Sequence, residues 1–134
     1  MKKFLILFLF MAMITGKIFA QKTVAAKDAS KHIGETIKIC DRVFGGNVTG
    51  SNVTLLYFGG NYPNHLFTVV INNVDRVKFK GKSEIDYRGK DFIVTGRVIN
   101  HEGKPVIIAT EPSNLKVVMI DNDHTVMLRH STLK

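Results

Sequence analysis

Five histidines, one cysteine and one adjacent acid–base pair within a predicted core strand are the side chains of this sequence considered first for catalysis or metal binding. The histidines, none of which forms a metal-ligand spacing such as His-x-x-x-His, are His32, His65, His101, His124 and His130. Cys40 pairs with no histidine by spacing and is typical of a small buried hydrophobe on a strand, and we interpret Asp41–Arg42 as structural. No Gly-x-Ser-x-Gly or phosphate-loop motif is present. The sequence therefore predicts a protein that is not an enzyme and uses neither a metal nor a cofactor.

Aromatic and basic side chains are better candidates for binding a polymer. Tyr57 could stack on a base or sugar, which is worth about 1–3 kcal/mol per base in single-strand binders. Basic residues at outward positions could steer phosphates, and residues of the turn after Tyr57 could line a binding edge, although turn residues often only fix a turn. The candidate ligand-binding residues are Tyr57, Tyr62, His65, Thr68, Lys38, Arg42, Arg97 and Lys104.

The first 20 residues have the layout of a secretory signal peptide. A basic "MKK" precedes the apolar "FLILFLFMAMI", and "TGKIFA" ends in a small residue, which predicts cleavage after Ala20. Residues 4–20 are too short for a membrane span of about 20 apolar residues and contain Lys17, and Gln21 excludes a lipoprotein cysteine at that position. We therefore expect a periplasmic or secreted protein that is not inserted in the membrane after cleavage.

Length and charge fit one small basic domain. The chain has 134 residues, and loss of the three lysines of the leader would lower its formal net charge from +8 to +5. A basic protein favours anionic partners such as nucleic acid or acidic glycans, but the same charge also serves solubility. With a single cysteine, no internal disulfide can form.

Alternation of apolar residues predicts five strands separated by turn-rich segments. The strands lie within "HIGETIKICDRVFGG", "VTLLYF", "LFTVVI", "DFIVTGRVI" and "VIIAT". Asp41 falls at a buried position of the first strand, so we expect a β-bulge there. Val74, Val77 and Phe79 predict a short helix between the third and fourth strands, with Asn72 or Asn73 as its N-cap.

This order predicts an all-β fold with one short helix, the five-stranded Greek-key barrel called the OB-fold. The predicted divisions are a signal peptide over 1–20, an N-terminal lead-in over 21–31, the OB-fold domain over 32–115 and a C-terminal extension over 116–134 that could add one strand. The inward Gly96 of the fourth strand predicts a bend or a close approach between strands.

Several motifs make residues 28–115 resemble small exported bacterial OB-fold proteins that belong with the nucleic-acid-binding, tRNA-anticodon-like group. The motifs are "YPN..FTVVI", "DR.KF", "Y.GK" and "VTG.V....GKP.I". The chain departs from the group at Asp41, where the group has Gly. It also departs from anticodon-binding relatives at Leu55, where they place a stacking Phe, and at Gly59–Gly60, where they place an Arg-Asp pair.

The resemblance implies that ligand binds on the outer face of the second and third predicted strands. By parity, Leu56, Phe58, Phe67, Val69 and Ile71 point inward, and Leu55, Tyr57, Leu66, Thr68 and Val70 point outward. Binding of single-stranded nucleic acid or another anionic polymer is the first interpretation. Because the outward face is apolar and nearly uncharged, a protein- or peptide-binding or self-associating module is the alternative, and residues after Leu115 could cover the face instead.

Overall fold

The computed structural model describes residues 23–120 and 126–130, and the predicted signal peptide over 1–20 lies outside them. Strands dominate this part of the chain, which confirms the predicted all-β class. The strands are β1 (Thr23–Val24), β2 (Thr36–Val48), β3 (Thr54–Phe58), β4 (Phe67–Ile71), β5 (Asp91–Arg97), β6 (Ile99–His101), β7 (Lys104–Ile108), β8 (Leu115–Ile120) and β9 (Val126–His130). The helical segments are the 3₁₀ helices Ala26–His32, Asn73–Lys78 and Pro112–Asn114 and the α-helix α1 (Ser83–Asp86).

The strands form one mixed sheet in the order β6-β7-β4-β3-β2-β5-β8-β9, with β1 alongside β2. Pairing is antiparallel except for β1 with β2 and β4 with β7, which are parallel. The hydrogen-bonded path is open, and the described residues contain nine strands where the sequence predicted five. The two- and three-residue strands β1 and β6 are too short to show an alternation in the sequence.

The inner face of β3 and β4 is the centre of the core. All five residues predicted to point inward are at most 1% exposed, namely Leu56, Phe58, Phe67, Val69 and Ile71. Gly96 of β5 confirms the predicted close approach, because a Cβ atom there would lie 2.6 Å from Cγ2 of Ile107 in β7. β5 and β7 therefore pack against each other although they are not neighbours in the hydrogen-bonded order.

The β-bulge of β2 is not at Asp41, where the sequence predicted it. Asp41 pairs in regular register with Phe92, and the register shifts instead between Val43 and Gly45. The half-buried Asp41 carboxylate accepts hydrogen bonds from the backbone N–H groups of Ala26, at 3.0 Å, and Arg42, at 2.8 Å. A satisfied carboxylate needs no bulge to turn it outward, and its bond to Ala26 fastens the lead-in to β2.

The predicted helix between the third and fourth strands is the 3₁₀ helix Asn73–Lys78, and both of its valines are exposed. Asn72 stands at its N-cap without a side-chain capping bond. Residues three apart eclipse in a 3₁₀ helix, so Val74 and Val77 share one face, and that face is turned to solvent with the two residues 78% and 88% exposed. Only Phe79 at its end enters the core.

The C-terminal extension adds two strands to the sheet where the sequence predicted one. β8 pairs with β5, and β9 pairs with β8. They therefore extend the sheet beyond β5, on the other side of β2 from β3, and neither strand pairs with β3 or β4, whose outer face the extension could have covered. No helix within the described ranges is long and apolar enough to cross a membrane.

Candidate binding groove

A groove of about 550 Å³ lies on the outer face of β3 and β4. Leu55 of β3 and Val70 of β4 contribute its floor, the turn of residues 59–66 closes one side, and β6 and β7 contribute Ile99 and Ile108 on the other. This is the face that strand parity predicted, and it is bordered by two connections that are rich in turn-forming residues.

Five of the eight predicted binding residues line this groove: Tyr57, Tyr62, His65, Thr68 and Lys104. The other three, Lys38, Arg42 and Arg97, do not. β2 changes partner along its length, because residues 36–42 pair with β5 and residues 43–48 pair with β3. Lys38 and Arg42 therefore lie on the β5 half, where Nε of Arg42 donates a hydrogen bond of 3.0 Å to Oδ1 of Asp91.

Three rings pack together at one end of the groove. The ring centroids of Tyr57 and His65 are 4.6 Å apart and those of Tyr57 and Tyr62 are 5.3 Å apart. The rings of Tyr62 and His65 are stacked at 19° with centroids 5.7 Å apart. Tyr57 has the predicted outward parity, but it is only 8% exposed because the other rings lie against it, whereas Tyr62 is 68% exposed. The ring available to a ligand is therefore Tyr62, and Tyr57 supports it.

Lys104 holds the turn that carries Tyr62. Its Nζ donates hydrogen bonds to the carbonyl oxygens of Pro63, at 2.8 Å, and His65, at 3.4 Å. Within the turn, Gly59 adopts a φ of 77°, which favours glycine. Lys104, which the sequence predicted to attract phosphates, therefore also connects β7 to this turn by hydrogen bonds.

His65 is a buried ring with an unpartnered nitrogen. It is 7% exposed, and its Nδ1 has no hydrogen-bond partner among the described residues. Burial, and then the positive charge of Lys104, lowers the pKa of His65 below its ordinary value of 6.5. A neutral ring with a buried, unbonded Nδ1 is expected to carry its proton on Nε2, because a buried N–H without an acceptor is costly.

This lowered pKa predicts a loss of stability in mild acid. In the unfolded chain His65 takes up a proton near pH 6.5, but in the folded protein it resists protonation. The stability present above this pH therefore falls as the pH drops below 6.5, by at most about 1.4 kcal/mol per pH unit. Urea unfolding of the wild type and of His65→Phe measured between neutral pH and mild acid checks this. Identical pH dependence of the two proteins would contradict it.

Tyr57 and Cys40 also have shifted pKa values with clear causes. Burial, and then Tyr62, raises the pKa of Tyr57, so its phenol stays protonated at neutral pH. Burial, followed by the charges of Asp91 and Asp41, raises the pKa of Cys40. A thiol with a raised pKa is a weak nucleophile at neutral pH.

Sequence reasoning missed the residues that β6 and its turn bring to the groove. Ile99 forms part of the wall, and Glu102 lines the same edge. The signal was the "NHEGKP" segment, where Glu102 and Gly103 both have positive φ, at 51° and 81°. A tight turn there joins β6 to β7 as a hairpin, and β7 pairs with β4. The hairpin was not predicted because β6 has only three residues, too few to show an alternation. Within the described ranges no three His, Cys, Asp or Glu residues cluster in a way that could hold a metal ion.

No protein-family model matches the chain, and no curated protein matches its sequence. A solved structure, that of a putative aspartyl-tRNA synthetase from Leishmania major Friedlin, is similar with a TM-score of 0.44 and 11% sequence identity. The similarity covers 80% of this chain and 24% of the synthetase, so the chain spans about a quarter of that protein's length. No sequence comparison supports the predicted resemblance to small exported bacterial proteins.

Proposed function

We propose that this protein is an exported, non-catalytic OB-fold module that binds single-stranded nucleic acid in the groove on β3 and β4. The observation that carries the proposal is the exposed Tyr62 ring, held by Tyr57 and His65 at the end of that groove. Every nucleic-acid base has a flat π-face, so any of the bases can stack on such a ring.

The strand order supports the OB-fold part of the proposal. The five central strands follow one another as β7-β4-β3-β2-β5, and β4 and β7 are parallel. In a five-stranded Greek-key barrel the first and last of these strands close the cylinder. Contact between Gly96 of β5 and Ile107 of β7 supports closure by packing at that seam.

The charge distribution supports an anionic polymer longer than the groove. Lys104 lines the groove, while Lys38, Arg42 and Arg97 belong to the neighbouring strands β2 and β5. Together with the net positive charge of the chain, these residues would attract phosphates beyond the groove, an effect that salt screens. In this proposal the basic residues attract the phosphates, and Tyr62 in the turn stacks on a base.

Export and the absence of catalysis are parts of the proposal that rest on the sequence. The layout of residues 1–20 supports a cleaved signal peptide and a periplasmic or secreted location. The lack of nucleophile and phosphate-loop motifs supports binding without chemistry. Detection of a mature N-terminus at Gln21 would test the cleavage site.

Fluorescence anisotropy with labelled oligothymidylate and oligouridylate of about 12 nucleotides tests the proposal. We expect micromolar affinity at low salt, with log K falling linearly as log salt rises, by about 0.7 for each phosphate contacted. Duplex DNA of the same length is the control and should bind more weakly, because its bases are not free to stack. Absence of binding to either single strand at low salt would contradict the proposal.

Binding of an extended peptide is the second candidate, and the free edge of the sheet favours it. β6 is the outermost strand beside the groove, and all three of its residues are exposed. A peptide could add to this edge as a further strand while its side chains enter the apolar groove. In that case Asn100→Pro, which removes a backbone N–H from this edge, would abolish peptide binding. Single-stranded nucleic acid would not compete with the peptide for the groove.

A further inference from the structure

A second hollow, of about 410 Å³, adjoins the groove at Tyr57 and Tyr62. These two tyrosines line both spaces, so their rings form the partition between them. The bulged part of β2 contributes Phe44 and Gly45 to the hollow, and α1 with the turn after it contributes Glu84 and Arg88.

The hollow exists beside Tyr57 because position 45 is a glycine. Gly45 is the cross-strand partner of Tyr57, and directly opposite residues of an antiparallel pair project from the same face. A Cβ atom at Gly45 would meet nothing within 4 Å. A side chain there would therefore fill open space next to the tyrosine without displacing the backbone.

Arg88 lines this hollow with a positive charge that no acidic residue of the described ranges pairs with. It is exposed, and its guanidinium makes no hydrogen bond or ion pair with any residue of the described ranges. Glu84, on α1, also lines the hollow, but it does not pair with Arg88. In the groove, by contrast, Lys104 is engaged by two carbonyl oxygens. The free positive charge is thus on the far side of Tyr62.

We propose that this hollow is a second subsite, in which Arg88 binds a phosphate of the same strand whose base stacks on Tyr62. The inference rests on the proposed function, since it needs a strand in the groove. A single-stranded nucleic acid that leaves the groove past the exposed Tyr62 would enter the space above Gly45. Its next phosphate would then lie within reach of the long, flexible side chain of Arg88. The fork of Arg donors suits phosphate oxygens.

Two variants test this subsite from opposite sides. Arg88→Gln removes the charge, and Gly45→Leu fills the hollow while leaving Tyr62 in place. With the oligothymidylate of about 12 nucleotides, Arg88→Gln is expected to weaken binding roughly three- to fivefold and to reduce the salt slope by about 0.7. Gly45→Leu is expected to weaken binding at least as much. Circular dichroism verifies that each variant is folded.

Lys80→Gln is the matched control, because it removes one positive charge from an exposed site of the same connection that lines neither the groove nor the hollow. It should change affinity less than twofold, as a charge distant from the ligand is screened. If the wild type binds the strand but Arg88→Gln behaves like Lys80→Gln in affinity and salt slope, the subsite is refuted and the groove remains. If Gly45→Leu does not fold, Arg88→Gln decides alone. If the wild type binds no single strand, the proposed function itself has failed.

Discussion

Tyr62→Ala is expected to weaken the binding of oligothymidylate roughly 5- to 150-fold, because the loss of one stacked base costs about 1–3 kcal/mol. Tyr62 is 68% exposed, so its removal should lower the free energy of unfolding by no more than about 1 kcal/mol. Anisotropy titrations at fixed salt measure the first effect and urea unfolding the second.

Tyr62→Phe is the matched control for this prediction. It keeps the ring and removes only the hydroxyl, so binding should stay within about twofold of the wild type if stacking is what matters. Tyr57→Ala is a poorer probe, since Tyr57 is buried and its removal also disturbs the rings above it. Equal affinities for the wild type and Tyr62→Ala would show that no base stacks on this ring.

Strand parity could be predicted from the sequence because the inner face of β3 and β4 is apolar and fully buried, whereas the outer face is only partly covered. A one-residue slip would move every apolar residue from the core to solvent, so alternation determines the face. Phe58 and Phe67 illustrate this, with ring centroids 5.5 Å apart and no exposure. The position of the groove followed from the same parity.

Strand partners could not be predicted in the same way. Alternation gives the face on which a residue lies but not the strand beside it, so it could not reveal that β2 leaves β5 for β3 at Val43. For this reason Lys38 and Arg42, which were predicted to bind the same ligand as Tyr57, lie on the β5 half of β2 and do not line the groove. The register shift that accompanies this exchange lies between Val43 and Gly45, and Phe44 and Gly45 line the second hollow.

Which tyrosine is exposed at the groove also depends on a long-range contact. The sequence indicated Tyr57 because it lies on a strand with outward parity. Its burial arises from the turn, which Lys104 fastens from a strand some 40 residues later and which brings Tyr62 and His65 over the Tyr57 ring. Turn residues such as Tyr62 carry no periodicity, so their placement could not be inferred before the fold was known.

The adjacent glycines of β2 provide the sharpest test of the packing beneath the second hollow. A Cβ atom at Gly46 would lie 2.8 Å from the carbonyl oxygen of Leu55 and 2.9 Å from Cα of Glu84, so two backbone segments would have to separate. At Gly45 a Cβ atom would meet nothing within 4 Å. Gly46→Ala is therefore expected to lower the free energy of unfolding by about 1–3 kcal/mol or more, and Gly45→Ala to leave it nearly unchanged.

Urea unfolding of the two alanine variants measures this difference within a single strand. Because the clash at Gly46 lies against α1, relief of the strain would displace that helix and with it Arg88, which follows α1 by two residues. Gly46→Ala should then also lose the proposed contact between Arg88 and a phosphate, which would be measured as a smaller dependence of affinity on salt. Stacking of a base on Tyr62 should remain. Equal stability of the two variants would mean that α1 is not held against β2 as closely as the distances at Gly46 indicate.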